Sequence, residues 1–346
     1  MLNKKVKANI LSTTISLVAT LIILFVFLYA VGKDPFAVMK MMVSEVFGSG
    51  YGIGQALFKA TPLIICGIGL AFCFQASIFN IGAEGQLNLG VFVMSIVAYL
   101  FDDYLGIIIL PIAVFIGFAV AALWGFIPAY IKIKRGVSEV ITTIMMNFIS
   151  LALINYFLIE FLAVKSTVRT EKILDAITLP KLSAFSDVFE GSSANITFVF
   201  AILLAVATYF VFYKTSFGYK LRAVGLNPKA SKYLGINTNK MTIIAFMIGA
   251  GITSLVGLNF VFGYKGYYEY GFSNNLGFTA IAVTLLAKNN PIGIIFTALL
   301  FGIMDYGGLA INTMVPKEIM LVFQALVILS ILSFDRIIKI YYLKEK

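Results

Sequence analysis

The sequence predicts an all-α polytopic membrane protein of about ten transmembrane helices, with broken or re-entrant segments and a short cytoplasmic helix. Composition is the first observation behind this. Of 346 residues, 60% are hydrophobic and 12% charged, and the mean hydropathy is +0.98, far from the average of soluble domains. The second is length: several apolar runs reach the roughly 20 residues that a helix needs to cross a bilayer. The third is charge placement. The formal net charge of +10 comes from basic residues gathered in loops between apolar runs, which reads as orientation in a membrane and not as nucleic-acid binding.

The spans follow in order. Lys4, Lys5 and Lys7 precede an apolar run over residues 10–31, which is too long for a signal-peptide core and reads as a retained first helix leaving an internal N-terminus. Asp34-Pro35 stops it, residues 36–47 are too mixed to span and suggest an external surface helix, and a glycine cluster over 48–54 follows. Residues 62–76 return inward, and 87–101 run out to the acidic pair Asp102-Asp103. Residues 105–131 come back to Lys132, Lys134 and Arg135, and 137–162 go out again, carrying Glu139, Asn147, Asn155 and Glu160. A polar external loop occupies 164–195, and the sixth span is 196–213. After a basic loop come spans at 241–262, 276–287, 292–309 and 318–334, with an aromatic external turn at 263–275 holding Tyr264, Tyr267, Tyr268 and Tyr270. Arg336, Lys339, Lys344 and Lys346 close the chain inside. Ten spans with both termini cytoplasmic place most of the 26 Lys and Arg on the inner side, so parity and charge agree. The expectation is one transmembrane domain over residues 1–346.

Residues 214–240 form the one long basic, turn-rich interruption in the second half, with Lys214, Lys220, Arg222, Lys229, Lys232 and Lys240 and no acidic residue. Asn227 reads as an N-cap, Pro228 as the first helical residue and Gly235 as the residue past the end, predicting about two turns of helix. A short helix held between two spans offers a handle to a cytoplasmic partner.

At membrane depth the most informative motif is Asn80-Ile-Gly-Ala-Glu-Gly-Gln86. A charged carboxylate at the bilayer centre costs about 2.5 to 3.5 kcal/mol on insertion scales, so Glu84 either meets water, a partner or a substrate, or sits near a helix N-terminus that favours it. Asn80, Gln86 and Asn88 have the donor and acceptor pairs to hold a polar ligand or, equally, to tie down broken helix ends. Ser138 is a candidate N-cap with Glu139 in the first turn. Asn147 is a pathway candidate or an interhelical hydrogen bonder. Phe74, Phe79 and Trp124 can stack on a ring-shaped ligand or simply pack. Polar turns flanked by short spans, around 79–90 and 288–293, point to a pathway, because broken backbone at membrane depth is tolerated only where protein buries it or a cavity solvates it.

Other chemistries lack their residues. Histidine is absent, and Cys66 and Cys73 lie in an apolar stretch, which suggests neither disulfide nor metal site. No Gly-x-x-x-x-Gly-Lys-Ser/Thr, His-Glu-x-x-His or Gly-x-Ser-x-Gly stretch occurs, so the chain is not expected to be an enzyme or to bind a cofactor of its own.

Four stretches, residues 79–86, 137–147, 223–237 and 277–293, together resemble the permease subunits of bacterial ABC importers, in the branch that serves nucleosides and simple sugars. The resemblance covers residues from about 55 to 335. It implies a permease in the bacterial cytoplasmic membrane that pairs with a second permease, identical or homologous, docks cytoplasmic ABC ATPases that bind the ATP, and receives substrate from an extracellular binding lipoprotein. It makes Gly225, Leu226, Asn227, Pro228, Lys229, Ala230, Leu234 and Gly235 the ATPase-coupling segment, and Asn80, Glu84, Gln86, Asn147 and Phe79 the expected substrate pathway. Ser138-Glu139-Val140-Ile141 and Asn289-Asn290-Pro291 look more like the nucleoside permeases than the ribose ones. The alternative reading is an ion-coupled secondary transporter in which Glu84 or Glu139 carries a proton.

Overall fold

The computed structural model describes residues 25–316 and 319–330, with Ile15, Val18, Ala19, Ile22, Ile23 and Ser333. The expected first span lies partly outside the described residues, and Lys4, Lys5, Lys7, Arg336, Lys339, Lys344 and Lys346 lie wholly outside them. The helices, in order, are α1 (Pro35–Phe47), α2 (Gly50–Gln75), α3 (Ala83–Leu105), α4 (Ile109–Arg135), α5 (Glu139–Phe157), α6 (Thr197–Lys214), α7 (Ser216–Leu226), α8 (Pro228–Tyr233), α9 (Thr238–Ser254), α10 (Leu276–Leu286) and α11 (Pro291–Ala310). A further apolar helix, α12 (Ile319–Ser330), follows. Extended pairing among the described residues is confined to isolated bridges such as Arg169 with Glu269 and Lys181 with Asn195.

Among the described residues six segments are long and apolar enough to cross a membrane. One of them, Ala83–Arg135, is really α3 and α4 folded back on each other, because Gly106 reverses the chain at φ +51° and Gly90 meets Gly117 and Ala121. Helices α10 and α12 are apolar but shorter.

The chain forms two compact units, residues 57–302 and residues 1–56 with 303–346. In the larger unit α9 is the central post. A Cβ on Gly249 would lie 2.7 Å from the Gly69 carbonyl oxygen, one on Gly90 would lie 2.3 Å from Ser254, and one on Gly125 would lie 2.6 Å from Ala250. Small residues therefore let α2, α3 and α4 each touch α9 almost backbone to backbone, the usual solution where lipid supplies no hydrophobic drive between helices. The outward faces are apolar and exposed, as with Phe115, Phe148 and Leu203. In the smaller unit Gly307 lies against Met42 and Val46, and Gly308 against Met320.

Helix starts share one grammar. Asp34 Oδ1 accepts from the N–H groups of Phe36 and Ala37 ahead of α1, and Asn290 Oδ1 from Ile292 and Gly293 ahead of α11, each with proline next in line. Asp34-Pro35 thus begins a helix as well as ending a run.

Several expected boundaries move. The second span begins at Gly50, not at residue 62, and α2 passes through Pro62. Proline leaves the Phe58 carbonyl without its helical donor, and Asn259 Nδ2 donates to that oxygen instead at 3.3 Å. The third begins at Ala83, not at 87, so Glu84 and Gln86 lie inside the helix. The fourth runs from Ile109 to Arg135, stopped by Gly136 at φ +67°. The seventh is α9 followed by a π-helical stretch, Leu258–Lys265, whose wider turn carries Asn259. The loop over 164–195 is anchored at Asn195, whose Nδ2 donates to Asn259 Oδ1 at 3.1 Å, and at Asp102, whose Oδ2 accepts from the Leu174 N–H at 3.0 Å.

Candidate functional site

Helix α2 ends at a left-handed residue. Ser77 has φ +54°, the Ile78 N–H bonds the Cys73 carbonyl, and the Ser77 N–H bonds that of Phe74, which is the Schellman closure normally given to glycine. The chain then stays non-helical through residues 76–82 and re-enters helix at Ala83. Buried broken backbone needs partners, and the polar motif supplies them. Asn80 and Gln86 exchange two amide hydrogen bonds, at 2.9 and 3.3 Å, while Asn80 Oδ1 also accepts from the Gly82 N–H. Asn147 on α5 brackets the break from the other side, its Oδ1 accepting from Gly85 N–H at 2.8 Å and its Nδ2 donating to the Ile81 carbonyl at 2.9 Å. Thr143 Oγ1 accepts from the Ile81 N–H. A ligand reaching these amides would have to displace bonds already made. Phe79 is 39% exposed and stacks on Phe74, with ring centroids 5.3 Å apart at 12°; Trp124 is half-buried in α4.

Glu84 is 6% exposed. Its Oε2 accepts from the Gly277 N–H at 2.6 Å, and its Oε1 from Ser273 Oγ and from Asn88 Nδ2. The carboxylate therefore sits in the first turn of α3 and at the start of α10, and both N-termini favour its charge. Gly277 has to be glycine, since a Cβ there would lie 2.5 Å from Glu84 N. Tyr268 completes the cluster by donating its hydroxyl to Asn88 Oδ1 at 3.4 Å. It is 1% exposed, so the aromatic turn is not uniformly interfacial as expected. Burial pushes the Tyr268 phenol well up, with smaller contributions from Tyr270 and Glu84, and keeps it a donor.

A second break mirrors the first. Lys288 and Asn289 have φ +53° and +59°, the Asn289 N–H bonds the Thr284 carbonyl and the Lys288 N–H that of Leu285. Gln75, the last residue of α2, reaches over and donates its Nε2 to the Asn289 carbonyl at 3.2 Å.

The basic loop folds into two short helices, α7 and α8. Asn227 Oδ1 accepts from the Ala230 N–H at 3.0 Å, Pro228 opens α8, and Gly235 closes it at φ +78° with the Ile236 N–H on the Ser231 carbonyl. Lys229 and Ala230 are exposed, and Leu226, Tyr233 and Leu234 project 88%, 93% and 71% exposed. Gly225 does not: a Cβ there would lie 2.0 Å from the Gln75 carbonyl oxygen, and its own carbonyl accepts from Ser77 Oγ at 2.6 Å. Neither Gln75 nor Ser77 stands out in the sequence, because their partners are some 150 to 210 residues away. Ser138 differs from expectation. Its side chain makes no cap bond, and the end of α5 is held instead by Glu139 paired with Lys132 Nζ at 2.6 Å.

A family profile described as a branched-chain amino acid transport system permease component matches residues 52–332. The chain is 32% identical to the nucleoside ABC transporter permease protein NupB of Lactococcus lactis, over 94% of this chain and 91% of that one. It is 35% identical to the guanosine ABC transporter permease protein NupP of Bacillus subtilis, over 83% of each. It is 29% identical to the glucose ABC transporter permease protein TsgB13 of Haloferax volcanii, over 92% of this chain and 86% of that one. No solved structure matches the chain significantly.

Proposed function

The chain belongs to this family of transport-system permease components, is a multi-pass membrane protein and a transport subunit, and on that premise we propose that it carries nucleosides inward through an ATP-driven importer. The observation that carries the substrate class is the pair of nucleoside and guanosine permeases matched over most of their length.

In this reading the chain has ten spans with both termini in the cytoplasm of a bacterial cell, and the loop over 214–240 faces inward by its charge. The exposed Leu226, Tyr233 and Leu234 around α8 seat in a groove of a cytoplasmic ATPase, which binds the ATP, and a second permease completes the path. An extracellular binding lipoprotein delivers the substrate. ATPase closure pushes α7 and α8 and rocks the spans about the breaks at 76–82 and 287–290, so that access alternates. Asn80, Glu84, Gln86, Asn147 and Phe79 lie at or beside the first break. Their amides and ring suit a polar, flat solute once the bonds within the break are released.

The test is to co-express the chain with its ATPase, second permease and lipoprotein, reconstitute the complex, and follow ATP hydrolysis and uptake with nucleosides, pentoses and glucose. Nucleoside-stimulated hydrolysis with matching uptake is expected. Stimulation by sugars alone overturns the substrate class, and uptake that needs no ATPase but collapses with an uncoupler overturns the ATP-driven mechanism.

A further inference from the structure

We propose that Gln75 and Ser77 are positioning residues that join the cytoplasmic helix pair to both helix breaks, so that one displacement of α7 and α8 moves both breaks together. The inference rests on the importer reading above and adds the route by which motion at the loop reaches the helices.

The junction is built from three contacts within three residues of chain, 75–77. Gly225 is pressed against the Gln75 carbonyl so closely that a Cβ would lie 2.0 Å from its oxygen. Ser77 Oγ donates to the Gly225 carbonyl at 2.6 Å. Gln75 Nε2 donates to the Asn289 carbonyl at 3.2 Å, across to the second break. Between these contacts both breaks turn on non-glycine residues in the left-handed region, Ser77 in one and Lys288 and Asn289 in the other. Such residues are held only by their surroundings, so the two turns are the points in this region where a push produces rotation instead of elastic bending.

What moves is α10. Its far end is pinned by Glu84 on the Gly277 N–H, its body by Thr284 Oγ1 on the Gly67 carbonyl, and its near end by Gln75. A short apolar helix clamped at both ends to α2 and α3 follows them as a rigid lever. Loss of the Gln75 contact frees the turn over 287–290 beyond the Thr284 tie and leaves the far end held.

Two variants isolate the junction. Gln75→Met keeps the length of the side chain and removes its donor; Ser77→Gly keeps the left-handed turn and removes the hydroxymethyl group with its donor. In the reconstituted complex the expected result is nucleoside uptake per ATP hydrolysed reduced roughly five- to tenfold, with hydrolysis itself within about twofold of the parent. Hydrolysis and uptake falling in parallel, or neither changing, overturns the junction. Hydrogen exchange on the full chain in lipid nanodiscs reads the link without any substrate. Gln75→Met should speed exchange at residues 287–290 about fivefold while Gly277 stays protected, and unchanged exchange at 287–290 overturns the proposal. A parent complex that moves no nucleoside refutes the importer reading, and the exchange result still decides the link.

Discussion

The carboxylate of Glu84 accepts a 2.6 Å hydrogen bond from the backbone N–H of Gly277, 193 residues along the chain. A charge that would be costly in a bilayer is thereby used as the cap of a second helix. Glu84→Ala would leave the Gly277 N–H without its acceptor and strip Ser273 Oγ and Asn88 Nδ2 of one bond each, and should destabilise the chain by about 2 to 3 kcal/mol. Glu84→Gln keeps an acceptor and should cost about half as much. Thermal unfolding of the purified chain in detergent checks both.

Asn147 ties α5 to the break through two backbone groups, Gly85 N–H and Ile81 C=O. Asn147→Asp keeps the acceptor for Gly85 and sets oxygen against oxygen at Ile81; Asn147→Leu removes both bonds. The expected order of stability is Asn, then Asp, then Leu, spread over about 1 to 3 kcal/mol, and amide exchange at Gly85 should rise only with leucine.

The cap on α8 is worth about 1 kcal/mol by ordinary N-cap energetics. Asn227→Ala should weaken binding of the ATPase subunit roughly fivefold, and Asn227→Asp, which retains the acceptor for the Ala230 N–H, should restore it. Titration of labelled ATPase against nanodisc-embedded permease measures the difference.

Tyr268 gives a pH signature. Its phenol is raised by burial, so the folded chain holds this proton more tightly than the unfolded one. The contribution is fully present below the ordinary tyrosine value of about 10 and is lost as pH rises above it. Alkaline unfolding of the parent should therefore be steeper above about pH 10 than that of Tyr268→Phe.

Much of this was legible locally. Asn227, Pro228 and Gly235 announce α8 because capping and left-handed closure are short-range chemistry, and the structure supplies each bond within four or five residues. The polar run from Asn80 to Gln86 marks the break because apolar membrane sequence makes polarity conspicuous. The features that sequence reading missed are long-range. Nothing near Pro62 says that Asn259 will adopt its orphaned acceptor, so the sequence predicts the start of α2 twelve residues late. Ser77 and Lys288 close their helices without glycine, which removes the usual signal, and the burial of Tyr268 depends on Phe92 and Phe272, whose rings pack on it from α3 and from its own loop.

The bond from Asn259 to the Phe58 carbonyl has a historical consequence. A lineage that replaces Pro62 with any other residue restores the missing N–H, and the asparagine then keeps only its second task, accepting from Asn195 Nδ2 through its Oδ1. A lineage that loses the asparagine first is left with a bare carbonyl and is pressed to discard the proline. The proline should therefore be inherited only where the asparagine is, and a count of relatives with the proline and without the asparagine would find few.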